Sequence, residues 1–254
     1  REAMNAPPRA YMLDGLLAPR ELSVWWGAPK CGKSFLLLRL AYGLALGVGM
    51  WGRAAARPVR VLYLAAEGEG GLGNRLRALH EDMGDPGDGF ALIAQRMELG
   101  PPSTDLAAVI AAAKKHRAEL LVVDTLARTF GPGNEDTAQD MGGFVAAMDQ
   151  IREDAGVHVA VIHHGAKDTE AKTPRGSGAI LGAADLVVKV AKGCAKVDHA
   201  KDDADGAELP FELRTVELGT RANGSPITTC LAIEAGSGPR RTVAKVALSP
   251  AAQQ

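Results

Sequence analysis

Gly27-Ala28-Pro29-Lys30-Cys31-Gly32-Lys33-Ser34 fills every fixed position of the pattern Gly-x-x-x-x-Gly-Lys-Ser/Thr. Residues 21–26 before it, apolar at four of six positions, predict a short strand, and the Leu-rich residues 33–47 after it predict a helix. A glycine-rich turn between a strand and a helix is a cradle for phosphate. The glycines permit the turn, successive backbone N–H groups converge on one anion, and the helix N-terminus adds partial positive charge. The Lys33 ammonium suits the β- and γ-phosphates of ATP, and the Ser34 hydroxyl suits Mg²⁺. The expected nucleotide contacts are therefore Gly27, Ala28, Pro29, Lys30, Cys31, Gly32, Lys33 and Ser34, with Phe35 next along. Cys31 stands where the pattern accepts any residue, so spacing gives it no chemistry of its own.

Outward from this stretch, apolar runs predict strands over residues 59–65, 90–94, 120–124, 157–162 and 186–190. Helical spacing covers 71–83 and 105–116, the latter with Ser103 or Thr104 as its cap. Met141, Phe144, Val145, Met148 and Ile151 mark a further helix after the polar loop 131–136. The charged, low-apolar residues 192–208 read as a mobile loop or hairpin tip. Residues 211–218 and 227–233 read as a hairpin closing around Asn223-Gly224. The expected fold class is α/β. Helices flank a mostly parallel twisted sheet that ends in a C-terminal antiparallel β extension. The expected division is an N-terminal arm over 1–20, a core over 21–235 and a tail over 236–254.

Two acids stand at strand ends. Asp124 closes the run Leu120-Leu121-Val122-Val123, and the C-terminal edge of a parallel strand faces the ligand crevice. There a carboxylate can hold Mg²⁺ through water, so Ser34 and Asp124 are the expected metal residues. Hydrolysis also needs a carboxylate that polarises the attacking water. The residue after Asp124 is Thr125, so that acid must come from elsewhere. Glu67 ends Val61-Leu62-Tyr63-Leu64-Ala65-Ala66, on the strand after the phosphate-loop helix, and is the expected base; Glu69 is its competitor.

Composition narrows the partners. Twenty-nine Lys and Arg face 30 Asp and Glu, for a net charge of −1, so no globally basic surface advertises nucleic acid and any such contact must come from loops. Cys31, Cys194 and Cys230 form no Cys-x-x-Cys pair, which argues against a zinc site or a disulfide framework. No apolar run reaches membrane-spanning length, and a soluble, cytoplasmic protein without membrane partners is expected. The opening residue is Arg1, so the sequence reads as a fragment.

Taken in order, GAPKCGKS (27–34), VLYLAAE (61–67), LLVVDTLAR (120–128), VIHHGAK (161–167), PRGSGAI (174–180) and TRANG (220–224) resemble the RepA-type branch of RecA-like P-loop NTPases. These are ring-forming replicative helicases of small plasmids and related phage proteins. The resemblance implies a homohexamer that hydrolyses ATP between subunits and acts on single-stranded DNA. Other replication proteins or a fused primase would be further partners. It also implies roles for single residues. One histidine of the pair His163 and His164 would sense the γ-phosphate. Successive strand residues face opposite ways, so both cannot reach it; His163 is favoured for the catalytic role and His164 is kept as a nucleotide contact. Lys167 and Lys172, in the following loop, would touch DNA phosphates. Arg175 and Arg221 are candidates for a finger reaching a neighbour's ATP. A filament-forming recombination ATPase and an ATP-switched regulatory assembly module remain alternatives.

Overall fold

In the computed structural model, residues 9–67, 70–165 and 178–236 are described. β1 (Leu22–Gly27) leads through the glycine loop into α1 (Lys33–Ala45). Then come β2 (Val61–Ala65), α2 (Leu72–Met83), β3 (Phe90–Ile93), α3 (Leu106–His116), β4 (Leu120–Asp124) and the short α4 (Leu126–Thr129). α5 (Ala138–Ala155), β5 (His158–His164), α6 (Ala179–Ala183) and β6 (Leu186–Ala191) complete the alternating part. β7 (Cys194–Ala200), β8 (Glu208–Thr220) and β9 (Pro226–Glu234) end it.

The nine strands form one sheet in the order β3-β2-β4-β5-β1-β6-β7-β8-β9. Pairing is parallel from β3 through β6 and antiparallel from β6 through β9. This is the α/β, mostly parallel sheet with an antiparallel extension that the sequence predicts. Parallel neighbours require crossovers, and the crossovers place helices on both faces. Every residue of β1, β2 and β4 is buried, the pattern of strands covered on both sides. On one face Trp25, Tyr63, Val122 and Ile162 pack under α1 and α2. On the other, Val24, Leu62, Val123 and Val161 pack under α3 and α5. Strand alternation assigns each residue to its face. Just before β1, Leu13 bridges to Leu17 and Ala55, and Met12, Leu13, Leu16 and Leu17 are buried on the α1 side.

The expectation of a mobile loop or hairpin tip over 192–208 holds only in part: turns stand at 192–193 and 201–206, but between them Cys194–Ala200 is a strand, β7, paired antiparallel with β6. Its inward residues, Ala195 and Val197, are buried while Lys196, Asp198 and His199 are exposed. Small apolar side chains alternating with charges leave the stretch polar on average, which hides a genuine period of two. β8 pairs with β7 only over its first residues and with β9 from Phe211 onward. The β8–β9 hairpin thereby reaches the α1 face, where Arg214 donates to Asp82 of α2 at 2.6 Å. No helix among the described residues is long and apolar enough to cross a membrane.

Candidate active site

The C-terminal ends of β1, β2, β4 and β5 meet at the mouth of the glycine loop, where open α/β sheets bind ligands. Gly27 must be glycine because β6 runs close by: a Cβ there would lie 2.0 Å from the Val190 carbonyl oxygen. That carbonyl also accepts from the Cys31 thiol at 3.1 Å, which makes Cys31 a buried packing residue of the loop. Gly32 caps α1 with φ of 105°, and Lys30 also has positive φ. The loop therefore turns its backbone through conformations that suit an anion nest.

Lys33 is buried, and its ammonium donates to the carbonyls of Gly27 and Ala28, both at 2.9 Å. Burial lowers its pKa, opposed by Cys31, Asp124 and Glu67. Ser34 donates to Asp124 Oδ1 at 2.9 Å, and Tyr63 of β2 donates to Oδ2 at 2.7 Å. Burial raises the Asp124 pKa, and the two hydroxyl donors pull it back. Tyr63 is wholly buried, and burial keeps its phenol pKa well above the ordinary value, so it stays a donor. A carboxylate and a hydroxyl joined in this way are hard oxygen donors of the kind Mg²⁺ takes together with water and phosphate. Ser34 and Asp124 therefore fit that ion.

Glu67 follows β2 and turns into the same cleft. Its Oε1 accepts from the Thr125 hydroxyl at 3.4 Å and lies 3.6 Å from His164 Nε2. The cleft has a volume of about 300 Å³ and is lined by Lys30, Gly32, Lys33, Ser34, Phe35 and Glu67, closed by Arg75, His164 and Leu213. The histidine expectation is reversed in position. His163 is fully buried on the α3/α5 face, beside Trp26 in the strand register, whereas His164 faces the cleft with a third of its side chain exposed. The reason is register: β5 aligns His164 with Gly27, so its side chain shares the face of Ile162 and α1.

Arg221 is not brought to this chain's own cleft. It sits in the β8–β9 turn, where its N–H donates to the Ser225 carbonyl at 2.8 Å and its guanidinium to the Pro226 carbonyl. Lys167, Lys172, Arg175 and Glu69 lie outside the described residues. Four residues in or directly behind the cleft escaped the sequence reading: Arg75 and Leu213, which line it, and the buried Tyr63 and Thr125, which bond Asp124 and Glu67. Tyr63 carried a faint signal, a hydroxyl among the apolar residues of β2 on the parity that faces α1. Arg75 reads in sequence as an ordinary charged position of a helix.

The glycine loop, the paired Ser34 and Asp124, and the strand order with β1 inside the sheet define a P-loop ATPase of RecA-like fold. A family model described as AAA domain (AAA_25) matches residues 2–170, more than half of the chain, and the chain belongs to that family of P-loop ATPases. No curated protein matches the chain.

Proposed function

We propose that this chain is an ATP-driven, ring-forming motor that acts on single-stranded DNA, a replicative-helicase-like ATPase of a plasmid or phage element. The observation that carries the reading is the meeting of Glu67 and His164, 3.6 Å apart, at the ends of two different strands over the phosphate loop. In the proposed reaction the Glu67 carboxylate takes a proton from water. The water oxygen bonds to the γ-phosphorus, the bond to the β,γ-bridging oxygen breaks, and its electron pair leaves with ADP. Lys33 holds the β- and γ-phosphates, and Thr125 orients the Glu67 carboxylate. When bound at Ser34 and Asp124, Mg²⁺ neutralises phosphate charge. His164, in contact distance of the acid, reads whether the γ-phosphate is present. It ends β5, and the sequence continues directly to Lys167 and Lys172, the expected DNA contacts, and to Arg175, the expected trans finger.

The single-stranded DNA and the ring rest on the resemblance of the six motif segments to RepA-type helicases. Steady-state ATP turnover with and without single-stranded DNA, alongside unwinding of a forked duplex, tests them. Wild-type turnover should rise with DNA and the fork should open. Lys33→Ala should lose nucleotide binding, and Glu67→Gln should bind nucleotide and lose turnover by about 10²–10⁴-fold. Undiminished hydrolysis by Glu67→Gln removes the assigned base. A rate indifferent to DNA favours a regulatory assembly module, and strand pairing with filaments under the microscope favours a recombination ATPase.

A further inference from the structure

The turn that follows α1 carries a residue that its backbone does not favour. Met50 and Arg53 exchange backbone hydrogen bonds at 3.2 and 3.1 Å. The two residues between them are left-handed, Trp51 at φ of 58° and Gly52 at φ of 69°. The first place of such a two-residue turn suits Asn, Asp or Gly, and a bulky side chain there is an outlier. The strain points to a demand on the Trp51 side chain.

That side chain, half-buried, grips the base of the β8–β9 hairpin. The indole Nε1–H donates to the Pro210 carbonyl of β8 at 3.0 Å, and the Trp51 backbone N–H donates to the Glu234 carboxylate of β9. Phe211 and Glu234 are partners in the strand register, so the two ties fall side by side. The Pro210 carbonyl also accepts from the Ala235 N–H at 3.3 Å, which closes the ladder there. The turn is itself held. Arg53 donates to the Asp14 and Gly15 carbonyls at 2.9 and 3.0 Å, and a Cβ on Gly49 would lie 1.9 Å from the Arg53 carbonyl oxygen. What the hairpin touches gives the grip its consequence. The buried Phe211 packs on Gly32, the left-handed residue that opens α1. A Cβ on Gly32 would lie 3.1 Å from Phe211 Cε2 and 3.4 Å from Leu213 Cδ1, and Leu213 goes on to line the phosphate-loop cleft. The two side chains that roof Gly32 therefore stand directly beyond the Trp51 tie, with the Arg214 bond to Asp82 as a second tie farther out.

We propose that Trp51 is a positioning residue for the phosphate loop: it holds Phe211 and Leu213 down on Gly32 and so keeps the loop in the shape that receives a nucleotide. The inference rests on the ATPase reading above and names a residue, outside the motif and outside the cleft, that tunes it. A loop already held in its binding shape has less freedom to lose when the ligand arrives, and gains affinity without a new contact. With the grip gone, Gly32 still reaches that shape, but the ligand must supply the ordering, and the apparent affinity falls by the fraction of time the loop is ready. Lys33, Ser34, Asp124 and Glu67 keep their own positions on α1 and at the ends of β4 and β2. The effect therefore falls on nucleotide affinity and KM, and the filled site turns over at its usual rate. ADP and ATP lose alike, because both seat their β-phosphate in the same loop.

Three substitutions separate the grip from the turn. Trp51→Phe keeps an aromatic ring and removes the Nε1–H. Trp51→Asn suits the left-handed turn better and removes ring and donor together. Phe211→Leu shortens the roof over Gly32. Binding of fluorescent ADP and steady-state ATP turnover are read for each, for Trp51→Phe combined with Phe211→Leu, and for Lys33→Ala. Trp51→Phe should weaken ADP and raise KM by about three- to tenfold, with kcat within about twofold of wild type. Trp51→Asn should lose at least as much affinity. In the double variant, Trp51→Phe should add less than about twofold to the loss that Phe211→Leu already causes, because both act through one contact. Wild-type ADP affinity and KM in both Trp51 variants overturn the proposal. So does a double variant whose loss equals the product of the two single losses, and so does a fall in kcat at unchanged KM. Should Trp51→Asn fail to fold, Trp51→Phe decides alone. A Lys33→Ala variant that binds ADP normally brings down the ATPase reading itself, whereas normal binding by the Trp51 variants beside a dead Lys33→Ala removes only the grip.

Discussion

Ser34 and Asp124, 90 positions apart in sequence, are joined by a 2.9 Å hydrogen bond that ties the first turn of α1 to the end of β4. The other Asp124 oxygen accepts from Tyr63 at 2.7 Å, so the carboxylate is held from two sides. Replacing Asp124 by Asn keeps the shape and turns one acceptor into a donor, so one hydroxyl loses its partner. The Asp124→Asn variant should need about 10–100-fold more Mg²⁺ for half-maximal turnover. It should also unfold about 1–3 kcal/mol more easily, since an unmatched polar group is left buried. A Mg²⁺ titration of ATP turnover and a urea melt read the two effects; an unchanged Mg²⁺ requirement removes Asp124 from the metal site.

Gly27 gives a steric prediction. A methyl group there would meet the Val190 carbonyl at 2.0 Å, backbone against backbone, so β1 and β6 would have to separate. Gly27→Ala should cost about 1–3 kcal/mol as overpacking and should abolish nucleotide binding by distorting the loop. Gly142, exposed in α5 with open space around its missing Cβ, is the control. Gly142→Ala should stabilise by about 0.5–1 kcal/mol through helix propensity and leave binding alone. Thermal melts and ADP titrations of both variants check the pair, and normal binding by Gly27→Ala counts against the close approach.

The phosphate loop was legible in the sequence because its chemistry is local: each fixed residue answers a need of the turn, and strand and helix patterns flank it. β1 and β4 were legible for a similar reason, being apolar runs buried on both faces. β7 was not, because Ala195 and Val197 are too small to lift the hydropathy of a charged stretch. Tyr63 and Arg75 were hidden for a different reason. A tyrosine in an apolar strand and an arginine in a charged helix are unremarked until tertiary packing aims them at Asp124 and Phe35.

The histidine pair shows where alternation stops being informative. Alternation requires His163 and His164 to face opposite ways, but only the pairing of β5 with β1 says which one faces the phosphate-loop cleft. His164 lies 3.6 Å from Glu67 and His163 is sealed on the far face. On the proposed function, His164→Ala should lower turnover by at least about tenfold and remove any stimulation by single-stranded DNA. His163→Ala should act first on stability, by about 1–3 kcal/mol, as a core truncation. Turnover assays with and without DNA, paired with urea melts, separate them. DNA stimulation lost in His163→Ala and kept in His164→Ala contradicts this assignment.

A third histidine makes stability depend on pH. His158 is fully buried at the start of β5, with Nδ1 2.7 Å from the Ala18 carbonyl and Nε2 2.8 Å from the Ser23 hydroxyl. A carbonyl can only accept, so Nδ1 carries the proton and Nε2 accepts from Ser23, whose oxygen already accepts from Trp25 at 3.2 Å. The neutral ring satisfies every partner, and a second proton would set an N–H against the hydroxyl inside a dry core. Burial accordingly pushes the His158 pKa down from 6.5 to about 4. Above pH 6.5 both folded and unfolded chains hold it neutral, and the full stability is present. Between pH 6.5 and about 4 the unfolded chain takes up the proton first, so acid favours unfolding, by about 2 kcal/mol at pH 5 and about 3 kcal/mol at the lower limit. His158→Gln should start less stable at pH 7, from imperfect packing, and should lose less between pH 7 and pH 5 than wild type. Urea denaturation of both chains at the two pH values measures the difference, and parallel losses in the two would show that some other group carries the acid sensitivity.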